Sequence, residues 1–282
     1  GLIYRGKRLV NWCPRCQTSL SDLEIEYKEE AGKLYFIRYP IAAPVIASEA
    51  KQSQEIAAGT PAGGPRNDNT ITVATTRPET MLGDAAVAVN PKDSRYKKLI
   101  GALANLPLTE RKIPVNGDSS IDIEFGTGVV KVTPAHDPND AEIGERHKLP
   151  VYEIINERGR MTDAVPEAYR GLKVAEAREK VVADLQVAGL IEKIEDYAHN
   201  IAQCYRCNAT LEPLLSNQWF IKMKELAKKT AATVRSKKTR IIPKNFEKSF
   251  FAWLENIRDW CISRQIWWGH QLPVWFCKNQ TA

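Results

Sequence analysis

The stretch GTGVVKVTPAHDPND, residues 126–140, contains the clearest local fold signals in this chain of 282 residues. Residues 128–133 are mostly β-branched and follow a Gly-Thr turn, which predicts a strand. Asp137 then takes the position of a helix N-cap, Pro138 that of the first helical residue, and Asp140 adds a carboxylate to the first turn. The stretch therefore predicts a strand, a short connection and the start of a helix.

Further secondary-structure signals lie on both sides of this stretch. Helical spacing of apolar residues predicts a helix over 174–188 that stops at Gly189. Strands outnumber helices and do not alternate with them regularly, which predicts an α+β fold, a barrel-like mixed β domain with flanking helices. The strands are predicted at 23–27, 34–39, 70–76, 85–89, 121–125, 128–133 and 151–155.

Composition and charge exclude several protein classes. The apolar fraction is 43%, the charged fraction is 26% and the net charge is +6, which is typical of a globular protein rather than a collagen-like, disordered or fibrous one. No apolar run approaches the ~20 residues of a membrane span. The start, GLIYRGKR, contains neither an apolar signal-peptide region nor an initiator Met. We therefore expect the chain to be excised from a longer protein.

Four of the six cysteines form two CxxC pairs, Cys13 with Cys16 and Cys204 with Cys207. Two such pairs are typical of one tetrahedral zinc site, although thiols without a metal are an alternative. Redox chemistry is disfavoured because neither pair opens a helix after a strand. A shared zinc would clip together the ends of the long insertion between the pairs, as a zinc-ribbon stem. A thiolate zinc site also indicates a reducing, cytoplasmic setting.

Two segments differ in composition from the rest of the chain. Residues 42–69 contain seven Ala, three Gly, three Pro and no aromatic residue, which predicts a disordered or mobile surface insertion. From Lys222 to Lys248 there are ten Lys or Arg and two Glu, and six of the seven Trp lie at or after Trp219. A basic run is usually a solvated helix face. Beside so many aromatic residues it also fits a surface for nucleic acid or for another part of a parent protein.

Several motifs resemble one family. NWCPRC at 11–16 and ATTRPETMLGD at 74–84 resemble the inserted editing domain (connective peptide 1) of class I aminoacyl-tRNA synthetases. The stretch 126–140, and WLENIRDWCISRQ at 253–265 followed by WWGH, narrow the resemblance to the valyl-tRNA synthetases. Isoleucyl and leucyl relatives are similar around TTRP but not at HDPND. The resemblance covers nearly the whole chain except 42–69, and nothing in it resembles the HIGH and KMSKS signatures that bind ATP.

The resemblance implies post-transfer editing, the hydrolysis of mischarged Thr-tRNA(Val), without synthetase activity from this chain alone. It implies a structural zinc, no ATP site and no membrane. The expected partners are the 3′ end of the mischarged tRNA(Val) and the remainder of the synthetase, and we expect a cytoplasmic monomer. The competing interpretation is a zinc-stabilised tRNA-binding module without catalysis in isolation. The predicted parts are a stem segment at 1–39, the insertion at 40–69, the editing core at 70–198, the second zinc knuckle at 199–220 and the basic, Trp-rich segment at 221–282.

The resemblance assigns catalytic roles to Thr76, Lys131, Thr133 and Asp140. Asp140 would bind the α-ammonium of the substrate. Lys131 and Thr133 lie two residues apart, on one face of their strand, and would face the site. Without the resemblance, Asp140 is more simply interpreted as a helix-capping residue. Lys131 and Thr133 are then more simply placed on the solvent face of a half-buried sheet.

Substrate-binding roles are also implied, with Asp140, for five further positions. Asp137 would accept a hydrogen bond from the threonine hydroxyl, or it would simply cap the helix. Thr75 and Thr76 would hold the terminal adenosine or position water, or they would only fill a strand. Arg77 would contact the terminal nucleotide, with a surface salt bridge as its alternative. Phe125 would line the adenosine pocket, with ordinary core packing as its alternative.

Three residues are left without a clear role. His136 is a candidate general base, but nothing in the sequence provides it with a partner. Cys277 lies where family members often begin a second zinc knuckle, yet the following residues 278–280 contain no second cysteine. We therefore expect Cys277 and Cys261 to remain thiols.

Overall fold

The computed structural model describes residues 1–42 and 70–275. Most of the insertion predicted at 40–69 lies outside the described residues, and so does Cys277. The predictions for both therefore stay predictions.

The described residues form a mixed α and β structure. The strands are, in chain order, β1 (Ile3–Cys13), β2 (Thr18–Leu20), β3 (Ile25–Pro40), β4 (Thr70–Thr75), β5 (Ala86–Val89), β6 (Leu103–Asn105), β7 (Lys112–Gly117), β8 (Val129–Val132), β9 (Ile191–Cys204), β10 (Glu212–Ile221) and β11 (Trp260–Cys261). The helices are α1 (Pro138–His147), α2 (Val174–Val187), α3 (Lys224–Arg235) and α4 (Phe246–Glu255). None of these helices has the length and apolar character that a membrane crossing requires.

The chain divides into two compact units. Unit 1 consists of residues 1–28 and of the chain from 201 onward, and unit 2 consists of residues 29–200. The predicted editing core, 70–198, falls within unit 2. The predicted stem segment, 1–39, extends past residue 28, the last residue of the first part of unit 1.

Unit 1 is built on a four-stranded sheet in the order β11-β10-β1-β2. β1 and β10 form its central antiparallel pair over ten residue pairs, and the CPRC turn reverses β1 into β2. Helices α3 and α4 pack on each other through Ala227, Ala231 and Leu254. Ala227 and Ala231 are four residues apart and so lie on one helical face, which leaves the basic side chains of α3 exposed.

Unit 2 contains a three-stranded sheet, β4-β3-β9, and a four-stranded sheet, β6-β7-β5-β8. Every residue of β5 is buried, and β5 pairs with β7 in parallel and with β8 in antiparallel. Such a central strand, buried on both faces, is a continuous apolar run in the sequence. On one face, Ala86 and Ala88 of β5 pack with Val132 of β8 and Ile143 of α1. This core holds α1 against the sheet.

The predicted barrel is wrong, because the sheets of unit 2 do not close within the described residues. At one edge the two sheets are joined by the bridge between Ile41 and Ala104 and by the adjacent 2.7 Å bond from the Ala42 N–H to the Leu103 carbonyl. Where β4 lies against β8, the Thr127 hydroxyl donates a 2.8 Å hydrogen bond to the carbonyl of Thr72. These short links do not form a continuous ladder around unit 2. The fold is therefore a set of open mixed sheets with a few helices.

The predicted strand at 121–125 is also wrong. The carbonyl groups of Ile121 and Ile123 accept hydrogen bonds from the side chains of Asn90 (2.7 Å) and Arg95 (3.0 Å). Backbone groups that bond to side chains are not available to a neighbouring strand. The segment is irregular as a result.

Candidate functional site

Helix α1 begins where the sequence predicts it. Asp137 is the N-cap, and its Oδ1 accepts hydrogen bonds from the backbone N–H groups of Asn139 (2.8 Å) and Asp140 (3.1 Å). Further along the helix, Gly144 lies against Pro134, where an added Cβ would come within 2.7 Å of the proline ring. The cap and this close contact set the first turn of α1 beside the end of β8.

Asp140 is a buried carboxyl in that first turn, with 6% of its surface exposed. Its Oδ2 accepts the backbone N–H of Thr133 at 2.8 Å. Burial raises the pKa of Asp140 to about 7, Lys131 opposes this rise, and the neighbouring charge of Asp137 adds to it. A carboxyl with this pKa can exchange its proton for another cation near neutral pH.

Lys131 of β8 and Thr133, the first residue after β8, enter a buried polar cluster that we define as Tyr39, Asp84, Lys131 and Thr133. Lys131 Nζ donates to Thr133 Oγ1 at 2.7 Å and lies 3.5 Å from Asp84 Oδ1. Thr133 Oγ1 donates to the same Oδ1 at 2.6 Å, and the Tyr39 hydroxyl donates to Asp84 Oδ2 at 2.8 Å. Burial raises the pKa of Asp84, and the ammonium of Lys131 opposes that rise.

Thr75 is the last residue of β4, and Arg77 follows it and contacts the connection between β8 and α1. The Thr75 hydroxyl accepts the backbone N–H of Arg77 at 3.0 Å. The Arg77 guanidinium donates to Glu79 Oε1 and to the carbonyl of His136, each at 3.3 Å. Glu79 is fully buried and accepts two further hydrogen bonds of 2.8 Å from Arg178. Both arginines therefore bond to the same buried carboxylate.

Phe125 is 51% exposed, so it is not a core residue. It lines an open pocket of about 500 Å³, of which Val130, Asp137 and Asp140 also form part. An exposed ring beside two carboxyl groups offers a surface on which a flat apolar group can stack. Thr76 follows the end of β4 and is half-buried.

The ring of His136 is bonded to the backbone of a neighbouring segment. Its ring is buried, and Nε2 accepts hydrogen bonds from the backbone N–H groups of Ile154 (3.0 Å) and Ile155 (3.3 Å). A nitrogen that accepts these bonds carries no proton, and its lone pair is already engaged. The same bonds explain why the predicted strand at 151–155 is wrong, since they occupy N–H groups that a ladder would need. Only Ile155 forms a bridge there, to Met161.

The structure thus brings most of the assigned residues together around the end of β8. Lys131, Thr133 and Asp140 are joined by hydrogen bonds, and Arg77 reaches the same connection through the His136 carbonyl. Phe125 lines the same pocket as the carboxyl groups of Asp137 and Asp140.

Sequence reasoning missed the side chains that hold this site in place. They are Tyr39, Glu79, Asp84 and Arg178. The one available signal was Lys131 itself, because a lysine on an inward strand face needs a buried counter-charge. That requirement does not say which carboxylate provides the charge.

The two CxxC pairs meet, as predicted. The sulfur atoms of Cys13, Cys16, Cys204 and Cys207, which we call the cysteine cluster, all lie within 4.8 Å of one another. The sulfur atoms of Cys13 and Cys207 are 3.5 Å apart. A tetrahedral zinc with bonds of ~2.3 Å places its sulfur ligands ~3.8 Å apart. The cysteines of the described residues form no disulfide, so this donor set fits a tetrahedral metal ion.

Both CxxC pairs adopt the same backbone turn. The N–H of Gln17 donates to the Cys13 carbonyl, and the N–H of Asn208 donates to the Cys204 carbonyl, each at 2.8 Å. Gln17 and Asn208 both have left-handed φ angles, of 54° and 56°. The Cys16 N–H also donates to the Cys13 sulfur at 3.3 Å. Two equivalent turns therefore present two sulfur atoms each to a common centre.

Cys261 lies in unit 1 but outside this cluster. Its buried thiol is 3.8 Å from the Ser19 hydroxyl and 3.8 Å from the carbonyl of Ser263. It packs as an ordinary core thiol.

Comparison with known proteins gives the class to which this architecture belongs. The family model of the class I tRNA synthetases for isoleucine, leucine, methionine and valine matches residues 1–282. The chain belongs to this family.

Within the family, the chain is similar to valine--tRNA ligases. It is 48% identical over 279 residues to that of Clostridium perfringens (strain 13 / Type A), covering 99% of this chain and 29% of the relative. It is 50% identical over 279 residues to that of Thermotoga maritima, covering 99% and 30%, and 49% identical to that of Geobacter sulfurreducens, covering 99% and 29%. The chain thus spans less than a third of the length of these relatives, and the resemblance to valyl-tRNA synthetases is confirmed.

Proposed function

We propose that this chain performs post-transfer editing, in which it hydrolyses the ester bond of Thr-tRNA(Val). The observation that carries the proposal is the buried carboxyl of Asp140, which has a pKa of about 7 and lies at an open pocket. Thr133 is bonded to it directly and Lys131 interacts with it through its charge. The names of the relatives, valine--tRNA ligases, support valine tRNA as the carrier of the ester.

The need for a second site follows from the similarity of valine and threonine. For valine-specific synthetases, a hydrophobic valine pocket is known to reject isosteric threonine only ~10²-fold. A site that forms a hydrogen bond with the extra hydroxyl accepts threonine and leaves valine unbound. We assign this bond to Asp137. Its Oδ1 caps α1, and its Oδ2 has no hydrogen-bond partner among the residues that the structure describes.

The ester is already activated, so its hydrolysis needs a positioned water and stabilised charge rather than a covalent nucleophile. The water oxygen attacks the carbonyl carbon and gives up a proton, the bond to the ribose oxygen breaks, and that oxygen takes up a proton as it leaves. One water thus converts the ester into free threonine and a ribose hydroxyl. In this proposal Lys131 stabilises the negative charge of the tetrahedral intermediate, and the hydroxyl groups of Thr76 and Thr133 orient the water. Arg77 binds the terminal nucleotide, and Phe125 stacks on its adenine.

We further propose zinc as the ion of the cysteine cluster. A four-thiolate tetrahedral donor set is characteristic of structural zinc, and the sulfur positions fit that geometry. Zinc would supply a crosslink between the two turns of unit 1. Metal analysis should find about one zinc per chain.

Deacylation of pre-charged tRNA tests the editing proposal. The chain is mixed with Thr-tRNA(Val) or Val-tRNA(Val), and loss of the ester is followed with time. We expect hydrolysis of the threonyl ester and much slower hydrolysis of the valyl ester. Asp140→Asn, which preserves the size of the side chain, should abolish both reactions because the α-ammonium loses its charged partner.

A matched control is available in the same pocket. Asp122 also lines the pocket and is exposed, so Asp122→Asn removes an equal charge without touching the proposed anchor and should keep the rate. Binding of the tRNA with no loss of either ester would favour the competing function, a zinc-stabilised tRNA-binding module. Hydrolysis by Asp140→Asn at the parent rate would show that the site lies elsewhere.

A further inference from the structure

The buried charges beside Asp140 do not balance. Asp84, Asp140 and Lys131 are exposed by 0%, 6% and 8%. With both carboxyl groups ionised, this group of three carries one excess negative charge. Burial raises the pKa of both carboxyl groups, as expected for charges without full compensation. One additional cation would balance the group, and the α-ammonium of an aminoacyl ester is such a cation.

Both carboxylates accept a hydrogen bond from Thr133, but only Asp84 also pairs with an ammonium among the described residues. Asp84 Oδ1 accepts the Thr133 hydroxyl at 2.6 Å and lies 3.5 Å from Lys131 Nζ. Within the part of the chain that the structure describes, Asp140 Oδ2 accepts one hydrogen bond, from the backbone N–H of Thr133 at 2.8 Å. Among the described residues, Lys131 therefore forms its ion pair with Asp84 and not with Asp140.

Asp84 is itself held at several points. The Tyr39 hydroxyl donates to its Oδ2 at 2.8 Å. Its backbone N–H donates to the carbonyl of Met81 at 2.9 Å, and its own carbonyl accepts the Arg111 guanidinium at 3.1 Å. A carboxylate fixed in this way fixes the position of the ammonium that pairs with it, here that of Lys131.

We propose that Asp84 is a positioning residue of the hydrolytic site, which retains Lys131 in an ion pair and so leaves Asp140 to bind the α-ammonium of the aminoacyl ester. The inference rests on the proposed function and adds a residue to it. Without Asp84, Lys131 would be a buried ammonium without a counter-charge, which is strongly unfavourable. Asp140 is the other buried carboxylate of the group and would take over that pairing, so the substrate would lose its anchor.

The pKa of Asp140 depends on the charges of both Asp84 and Lys131. Asp84 raises the pKa of Asp140 through its negative charge, and Lys131 lowers it. Removing the charge of Asp84 should therefore lower the pKa of Asp140 from about 7. The charged groups that face Asp140 are Asp84 from the turn before β5, Lys131 from β8, Asp137 from the start of α1, and on the pocket side Asp122, Glu142 and Arg146.

Three variants of the whole chain test the proposal. Asp84→Asn should raise KM for Thr-tRNA(Val) by roughly 10- to 150-fold, the range of a lost charged hydrogen bond, with a smaller change in kcat. The double variant Asp84→Asn with Lys131→Met removes the competing ammonium as well, so KM should return toward the parent value although kcat stays low. Tyr39→Phe is the control, because it removes a hydrogen bond from the same carboxylate and keeps the charge. In that control the pKa of Asp140, followed by carboxyl NMR, should not move.

The outcomes separate positioning from a merely structural role. If Asp84→Asn lowers the melting temperature but leaves KM and the pKa of Asp140 at their parent values, the proposal is wrong. It is equally wrong if KM fails to recover in the double variant. If the parent chain hydrolyses neither ester, the proposed function fails instead. The pKa of Asp140 then still tests the pairing of Lys131 with Asp84. A fall in this pKa in Asp84→Asn but not in Tyr39→Phe supports that pairing. An unchanged pKa in Asp84→Asn overturns it.

Discussion

The cysteine cluster of unit 1 and the buried polar cluster of unit 2 are assembled by opposite principles. The first has four identical side chains on two equivalent turns, each turn closed by the same 2.8 Å backbone bond. The second has unlike side chains, with an ammonium, a carboxylate, a phenol and a hydroxyl from separate segments. A repeated donor set needs a central ion to hold it, whereas complementary charges hold one another. The two regions should therefore respond differently to the same perturbations.

The largest expected difference is the response to loss of the metal. Cys204→Ser or a zinc chelator should remove the amide-exchange protection of both CxxC turns, because binding of a structural metal contributes directly to folding. Protection along β5 and β8 should not change, since no residue of that sheet is a metal ligand. Cys261→Ser is the matched control, as it alters a buried thiol of unit 1 that lies outside the cluster. Equal loss of protection in both regions would show that they are not stabilised in different ways.

The second difference is the sign of the pH dependence. Between pH ~4 and pH ~7, folded Asp140 keeps a proton that the unfolded chain has released, because its pKa is raised to about 7. Rising pH should therefore lower the free energy of unfolding of unit 2, by up to ~4 kcal/mol for a shift of ~3 units. Stability that depends on the metal should instead rise with pH in unit 1, because thiolates must lose their protons to bind.

Hydrogen exchange as a function of pH measures the two regions separately. Asp140→Asn should flatten the dependence in unit 2 and leave that of unit 1 unchanged. A stability of unit 2 that rises between pH 4 and 7, or one that is unaffected by Asp140→Asn, would contradict the assigned environment of this carboxyl.

The contrast also explains what sequence reasoning reached and what it did not. Each CxxC pair indicates the other, because a tetrahedral site needs four donors. The start of α1 was predictable because capping is local, within Asp137 and the residues next to it. Strand β7 was missed because Pro114 lies inside it, and a proline argues against a strand. Asp84 was missed because its partner, Lys131, is 47 residues away in the chain.

A smaller effect distinguishes two roles of Asp137, recognition of the threonine hydroxyl and capping of helix α1. Asp137→Ala removes both the cap and the proposed acceptor, whereas Asp137→Ser keeps a good N-cap oxygen and removes the charge. If Asp137 binds the threonine hydroxyl, both variants should slow Thr-tRNA(Val) hydrolysis by about 10- to 150-fold, equivalent to roughly 1.5–3 kcal/mol. Hydrolysis of Val-tRNA(Val) should hardly change. Only Asp137→Ala should also lower the melting temperature, since cap loss costs ~0.5–2 kcal/mol.

Equal slowing of both esters in proportion to lost stability would identify Asp137 as a cap alone. Recovery of the threonyl rate in Asp137→Ser would lead to the same conclusion.

The most direct test is to titrate the Asp140 carboxyl by NMR, with and without a threonyl-adenosine analogue whose ester is replaced by an amide. The analogue keeps the α-ammonium and cannot be hydrolysed. If Asp140 binds that ammonium, the cation replaces the proton, and the pKa of Asp140 should fall from about 7 toward its ordinary range when the analogue is bound. An analogue that binds the chain and leaves the pKa of Asp140 unchanged would contradict the assignment of this carboxyl as the substrate anchor.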